Sequence, residues 1–171
     1  MMATLGVTMF YTNSFNEPLV YMLGAEASQC GLQALVPITD LVALGITRAG
    51  GVVEFKGFIL FYDITENGER SGGTVIWSDL EDGEAFIEGD TSFAGRATIA
   101  IGETILNAAK LGNWLIFYTD RRIIRCSLVG GEDVFNFEDI YTDEDGSAAL
   151  RYKYSLIQCG SKHIYLGGDN D

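Results

Sequence analysis

Two short stretches of the chain are apolar without interruption: Phe58-Ile59-Leu60-Phe61-Tyr62 and Trp114-Leu115-Ile116-Phe117-Tyr118. A strand with one face in water alternates apolar and polar residues, because successive side chains point to opposite sides. Runs that do not alternate need cover on both faces. A short buried helix would need the same cover, but Phe, Tyr, Trp and Ile favour strands, and tight turns flank both runs. The runs therefore read as strands held between neighbouring sheets, as happens where blades stack around a ring.

The same segments repeat. Lys56 to Tyr62 resembles Leu111 to Tyr118, and aligning Tyr62 on Tyr118 gives an offset of 56. A second strand follows each, Thr74 to Asp79 and Ile123 to Ser127; matching Ser78 to Ser127 gives an offset of 49 and predicts seven extra turn residues within Ile64 to Gly73. Leu156 to Leu166 then mirrors Leu115 to Arg125 at an offset of 41. Periods in the forties are the spacing of propeller blades built from four strands. The expected fold class is all-β: antiparallel β-hairpin repeats forming a partial or small β-propeller, with an irregular N-terminal segment.

That segment covers residues 1–50, and the repeat region covers 51–171. Thr4 to Tyr11 and Leu19 to Leu23 read as strands around the turn Asn13 to Pro18. Gly31 to Thr47 is apolar without a clean period, and Pro37 breaks any helix through it. Gly50-Gly51 reads as the boundary. The sequence ends directly after the third hairpin, at Leu166 to Asp171, so an open sheet edge is expected. A partner chain or the strands within Met2 to Leu23 would close it.

Composition narrows the function. At 171 residues the chain fits one domain, and 21 Gly against 2 Pro suits many strands joined by Gly-containing turns. The formal net charge of −13 opposes both phosphate backbones and anionic lipid. Sequence-specific nucleic-acid binding and membrane docking are therefore not expected. No apolar run approaches the roughly 20 residues of a membrane span, and no secretion signal opens the chain. Cys30, Cys126 and Cys159 lack metal-type spacing and read as reduced, with one disulfide as the alternative.

The segment Val53 to Ile140 resembles the β-propeller region of bacteriophage tail hub and nozzle (tail tubular) proteins. Glu54-Phe55-Lys56-Gly57-Phe58-Ile59-Leu60, then Val75-Ile76-Trp77-Ser78-Asp79-Leu80-Glu81-Asp82 and Phe86, carry the likeness in one blade. Leu111 to Asp120, Ile123-Ile124-Arg125, Gly130-Gly131 and Phe135-Asn136-Phe137 carry it in the next. Ile76 stands where the family usually has Arg, and Gly83 where it usually has Pro. Family members are generally longer, so the chain reads as a fragment or compact version. The resemblance implies a virion structural role, in a symmetric ring around the DNA exit channel.

Candidate chemistry is sparse. Trp77, Ser78 and Asp79 form the most distinctive cluster, read as a strand-end joint with Trp77 between blades. Asp79 as a catalytic carboxylate would need a partner, and Glu81, Asp82 and Glu84 lie in its own loop. In an EF-hand register through Asp143-Glu144-Asp145-Gly146, the first and twelfth ligands fall on Tyr141 and Tyr152, which excludes that motif. A looser calcium site there or at Asp169 to Asp171 stays open. His163 reads as a solvated turn residue aligned with Arg122. Arg121, Arg122 and Arg125, beside Lys110 and Arg96, form the basic patch, expected to meet the Glu132-Asp133 or Glu138-Asp139 loops of neighbouring subunits. Trp114 is a further structural or interaction residue. No phosphate loop, catalytic triad, zinc site or cofactor motif is present.

The expected function is therefore a non-enzymatic virion component, made in the bacterial cytoplasm, whose partners are other copies of itself and other tail proteins. The alternative is a glycan-binding or glycan-cleaving propeller, with Tyr62, Trp77 or Tyr118 as stacking platforms and Asp79 or Asp120 as polar contacts.

Overall fold

The computed structural model describes residues 1–5, 8–12, 18–22, 36–131, 133–142 and 150–167. Antiparallel strands dominate, and the sheets do not close into a barrel. The first sheet runs in chain order through β1 (Met2–Leu5), β2 (Thr8–Tyr11), β3 (Leu19–Met22) and β4 (Val36–Pro37). A single-turn helix, α1 (Thr39–Ala43), follows. The second sheet is β5 (Ile46–Phe55), β6 (Phe58–Glu66), β7 (Glu69–Trp77) and β8 (Gly95–Thr98). The third is β9 (Ile105–Leu111), β10 (Trp114–Thr119), β11 (Arg122–Leu128) and β12 (Phe135–Thr142), and a last hairpin pairs β13 (Ile157–Cys159) with β14 (Lys162–Ile164). Three four-stranded meanders and a hairpin thus follow one another, the partial propeller-like plan expected from the repeats.

Burial explains the uninterrupted apolar runs. Phe58, Leu60 and Tyr62 of β6, with Val75 and Trp77 of β7, face the third sheet and meet Leu115, Phe117, Ile124, Cys126 and Phe135. Ile59 and Phe61 point the other way, with Ile76, into a second core completed by Phe10, Ile38, Leu41 and Phe86. The period of two is intact; both of its phases are apolar because both faces are covered. In β10, Leu115 and Phe117 face the second sheet, while Ile116 and Tyr118 face Leu150, Leu156 and Tyr165. Trp114 departs from the expectation. It opens β10 at the strand end and stays 43% exposed.

The second and third sheets approach most closely at β5 and β9 and diverge toward β8 and β12. Side-chain size follows that wedge. On the narrow side β9 presents the small Ala108 to the shared core, and in β5 Gly51 leaves room for the ring of its cross-strand partner Tyr62, whose Cζ a Cβ would meet at 2.1 Å. Trp77, Phe135 and Phe137 fill the wide side, with ring centroids 5.4 and 6.2 Å from that of Trp77.

Strand registers correct the repeat alignment. Leu60 pairs with Trp77, and Ile116, its counterpart at offset 56, pairs with Arg125. The second strands are therefore related by an offset of 48, not 49, and the first hairpin is longer by eight residues. Arg125 holds the position of Trp77. A one-residue slip matters because it exchanges the two faces of a strand. In the last hairpin, Cys159 pairs with Lys162 across Gly160-Ser161, whereas Tyr118 pairs with Ile123 across four residues. Its second strand is accordingly offset by 39, which aligns His163 with Ile124 instead of Arg122.

The N-terminal reading also shifts. The expected strand Thr4 to Tyr11 is two antiparallel strands, with Leu5 paired to Thr8. These strands build their own sheet with β3 and β4. Gly50-Gly51, expected as a boundary, lies inside β5, where Gly51 pairs with Tyr62. Its lack of side chains serves close packing: a Cβ on Gly50 would stand 2.2 Å from an Asp63 carboxylate oxygen. The turn 13–17 lies outside the described residues.

Replacing Phe117, which is fully buried, by Ala is expected to cost about 3–5 kcal/mol. Trp114→Ala, at the exposed end of the same run, is expected to cost less than about 1 kcal/mol. Urea unfolding of the two variants checks this, and equal losses would contradict the burial described.

Candidate functional site

The Trp77-Ser78-Asp79 cluster sits where β7 leaves the second sheet. Trp77 ends β7 in register with Leu60 and Gly95. Its indole lies between the second and third sheets, nearly perpendicular to Phe135 at 89°. Its Nε1–H donates to the Phe93 carbonyl at 2.8 Å. Gly95 is needed opposite, because a Cβ there would stand 2.7 Å from the indole Cζ2. Ser78 is fully buried; its Oγ accepts the Ile59 N–H at 3.0 Å and donates to the Asp79 carbonyl at 2.8 Å. Oδ1 of Asp79 accepts two backbone N–H groups, from Leu80 at 2.8 Å and Phe93 at 2.9 Å.

Together these three residues tie both ends of the connection between β7 and β8. Asp40, in the first turn of α1, holds the middle by accepting the Phe86 N–H at 2.9 Å. Phe86 then packs on Phe61 with centroids 5.8 Å apart. Asp82 accepts the Glu84 N–H at 3.2 Å, which is local turn chemistry. Oδ1 of Asp79 is thus committed to two backbone donors.

The basic patch is used within the chain. Arg125 and Glu138 are cross-strand partners in β11 and β12 and form an ion pair. Arg122 donates to Glu103 at 2.7 Å and to Asp139 at 3.1 Å. Lys110 pairs with Glu54, and Arg96 holds Glu66 through two bonds of 3.2 and 2.7 Å. The Glu138-Asp139 partners expected on a neighbouring subunit therefore pair within the same sheet: register sets Glu138 directly opposite Arg125, and Arg122 reaches Asp139 diagonally. Glu132 lies outside the described residues. Arg121 is exposed at the β10–β11 turn, and among the described residues its side chain has no ion-pair partner. The turn itself is fixed by buried Thr119, whose Oγ1 accepts the N–H groups of Arg121 and Arg122 and donates to Glu103. Trp114 carries the Arg125 guanidinium 5.3 Å from its ring centroid, a cation–π contact beside Glu138.

The residues named for glycan stacking are enclosed. Tyr62, Trp77 and Tyr118 are all buried, so none offers a ring face to solvent. Burial raises the Tyr62 hydroxyl pKa and pushes that of Tyr118 up to about 12. Asp120 accepts the Thr104 N–H at 3.0 Å. His163 is no solvated turn residue. Its Nε2 lies 2.9 Å from the Lys110 carbonyl and so carries a proton, while Nδ1 lies 2.8 Å from the Tyr118 hydroxyl. It fastens the last hairpin to the third sheet.

Among the described residues, no group of three or more His, Cys, Asp or Glu is placed to hold a metal ion. The acidic stretch 143–146 and residues 169–171 lie outside them, as does Cys30. Cys126 is buried and its thiol is pushed up to about 12 by desolvation, whereas Cys159 is exposed.

One feature escaped the sequence reading. A cleft of about 620 Å³ opens between β8 and β12, on the wide side of the wedge, lined by Phe93, Phe137, Glu88, Asp90 and Asp133 above Trp77. Its only sequence signal was the long acidic connection after Asp79. No family model matches the sequence, and no curated protein matches it.

Asp79→Asn keeps an acceptor for both amides and is expected to cost under about 1 kcal/mol, while Asp79→Ala loses both bonds at about 1–2 kcal/mol. An Asp79→Ala midpoint equal to that of the wild type would show that the bonds contribute nothing. Peptide mapping after brief alkylation of the native protein should find Cys159 modified and Cys126 protected until denaturant is added. Equal labelling would contradict the burial of Cys126.

Proposed function

We propose that the chain is a non-enzymatic structural component of a bacteriophage virion, a tail hub- or nozzle-type module in a homo-oligomeric ring around the DNA channel. The residues that resemble those tail proteins fall in the second and third sheets. The distinctive ones, Trp77, Ser78, Asp79 and Arg125, are joints between strands and sheets. Their chemistry holds a scaffold together and leaves none of their polar groups poised over a substrate.

The observation that carries the assembly proposal is the exposed apolar face of the last hairpin. β13 and β14 form a hairpin where the preceding units have four strands. Ile157 and Ile164, a cross-strand pair, remain 64% and 59% exposed, and Leu166 beside them is also exposed. An apolar sheet face exposed in this way gains by stacking on further β-structure. The acidic surface suits a passage for DNA, since it offers phosphates no grip.

Sedimentation velocity of the purified protein should show a discrete oligomer that grows with concentration, and electron microscopy should show rings. Ile157→Asp with Ile164→Asp should shift the population to monomer with an unchanged far-ultraviolet spectrum. A wild-type protein that stays monomeric at high concentration would overturn this function.

A further inference from the structure

The cleft between the second and third sheets has a chemistry of its own. Phe93 is exposed at its rim, and Phe137 reaches it from β12. Glu88, Asp90 and Asp133 stand around these rings. Six ion pairs join the described residues, and none uses these three carboxylates. Among the described residues the one cation lining the cleft is Arg96, which Glu66 holds through both guanidinium Nη atoms and which Glu88 attracts from a greater distance. The cleft therefore combines apolar aromatic surface with negative charge that the described residues do not neutralise by ion pairing.

Its walls are also strand edges. β8 and β12 are the terminal strands of their sheets, so among the described residues one side of each has no ladder partner. Gly95 and Ala97 give the β8 wall little side-chain bulk. An exposed edge beside a groove is the geometry for adding an extended peptide, with backbone bonds for affinity and side-chain pockets for selection.

We propose that this cleft receives an extended segment of a different, basic protein. Arg or Lys side chains of that segment lie between the Phe93 and Phe137 rings and the carboxylates of Glu88, Asp90 and Asp133. A guanidinium gains both a ring face and charge-assisted bonds in such a place. The occupant is a different protein because Arg70, Arg96, Lys110, Arg122 and Arg125 already have carboxylate partners within the chain, so a second copy has few cations to offer. A neutral sugar would leave the charges of Asp90 and Asp133 uncompensated. This inference goes beyond the proposed self-assembly and does not depend on it.

The test uses Trp77 as reporter, in a Trp114→Phe background that removes the other tryptophan. The probe is an end-capped octapeptide of alternating arginine and valine, titrated at low and moderate salt. Saturable change in Trp77 emission is expected, weakened about tenfold by Asp90→Asn with Asp133→Asn. Glu69→Gln with Glu81→Gln removes the same charge away from the cleft and should leave binding unchanged, with circular dichroism confirming that both pairs fold. Equal weakening by the two pairs would reduce the effect to bulk charge and overturn the proposal. Absence of a saturable response would overturn it too, as would a response to cellohexaose in place of the peptide.

Discussion

Covering both faces of β6 is the constraint on which the rest of the molecule depends. Phe58 to Tyr62 are buried without exception, and each side chain removed from water contributes about 1.5–3 kcal/mol. The burial of one strand is therefore on the scale of a domain's whole net stability, about 5–15 kcal/mol. No single neighbour can supply it. Phe10, Ile38, Leu41 and Phe86 must close one side while Leu115, Phe117 and Phe135 close the other. The central sheet is ordered only within a pile.

Polar groups are spent on keeping that pile in register. Ser78 and Asp79 fasten the long connection back onto β6 and onto Phe93, and His163 fastens the last hairpin to Tyr118 and Lys110. Arg122 and Arg125 reach across to Asp139 and Glu138 on the adjoining strand. Exposed pairs of this kind add little stability. Their geometry does favour one alignment of β11 on β12 over a slipped one.

The sequence disclosed the strands through their apolar runs, because two-sided burial leaves a signal that needs no alignment. It disclosed the repeats as well, and the offset of 56 survives since Leu60 and Ile116 face the same way. The second strands were misjudged by one residue because Ser78 and Ser127 are identical while turn lengths differ. Identity of residue type carried less information than facing direction. Gly50-Gly51 misled for a related reason: paired glycines signal either a turn or a tight approach, and only the Tyr62 and Asp63 side chains opposite decide which. The cleft was invisible because its residues come from distant segments whose only common property is the space between two diverging sheets.

That divergence is set by side-chain volume. Glycine and alanine on the β5 and β9 side allow close approach, and Trp77, Phe135 and Phe137 hold the sheets apart on the other. The second sheet is thus tilted on the third, and the angle between them is written in a few residue sizes. Exchanging bulk between the two sides would change that angle, with no hydrogen-bonded ladder altered.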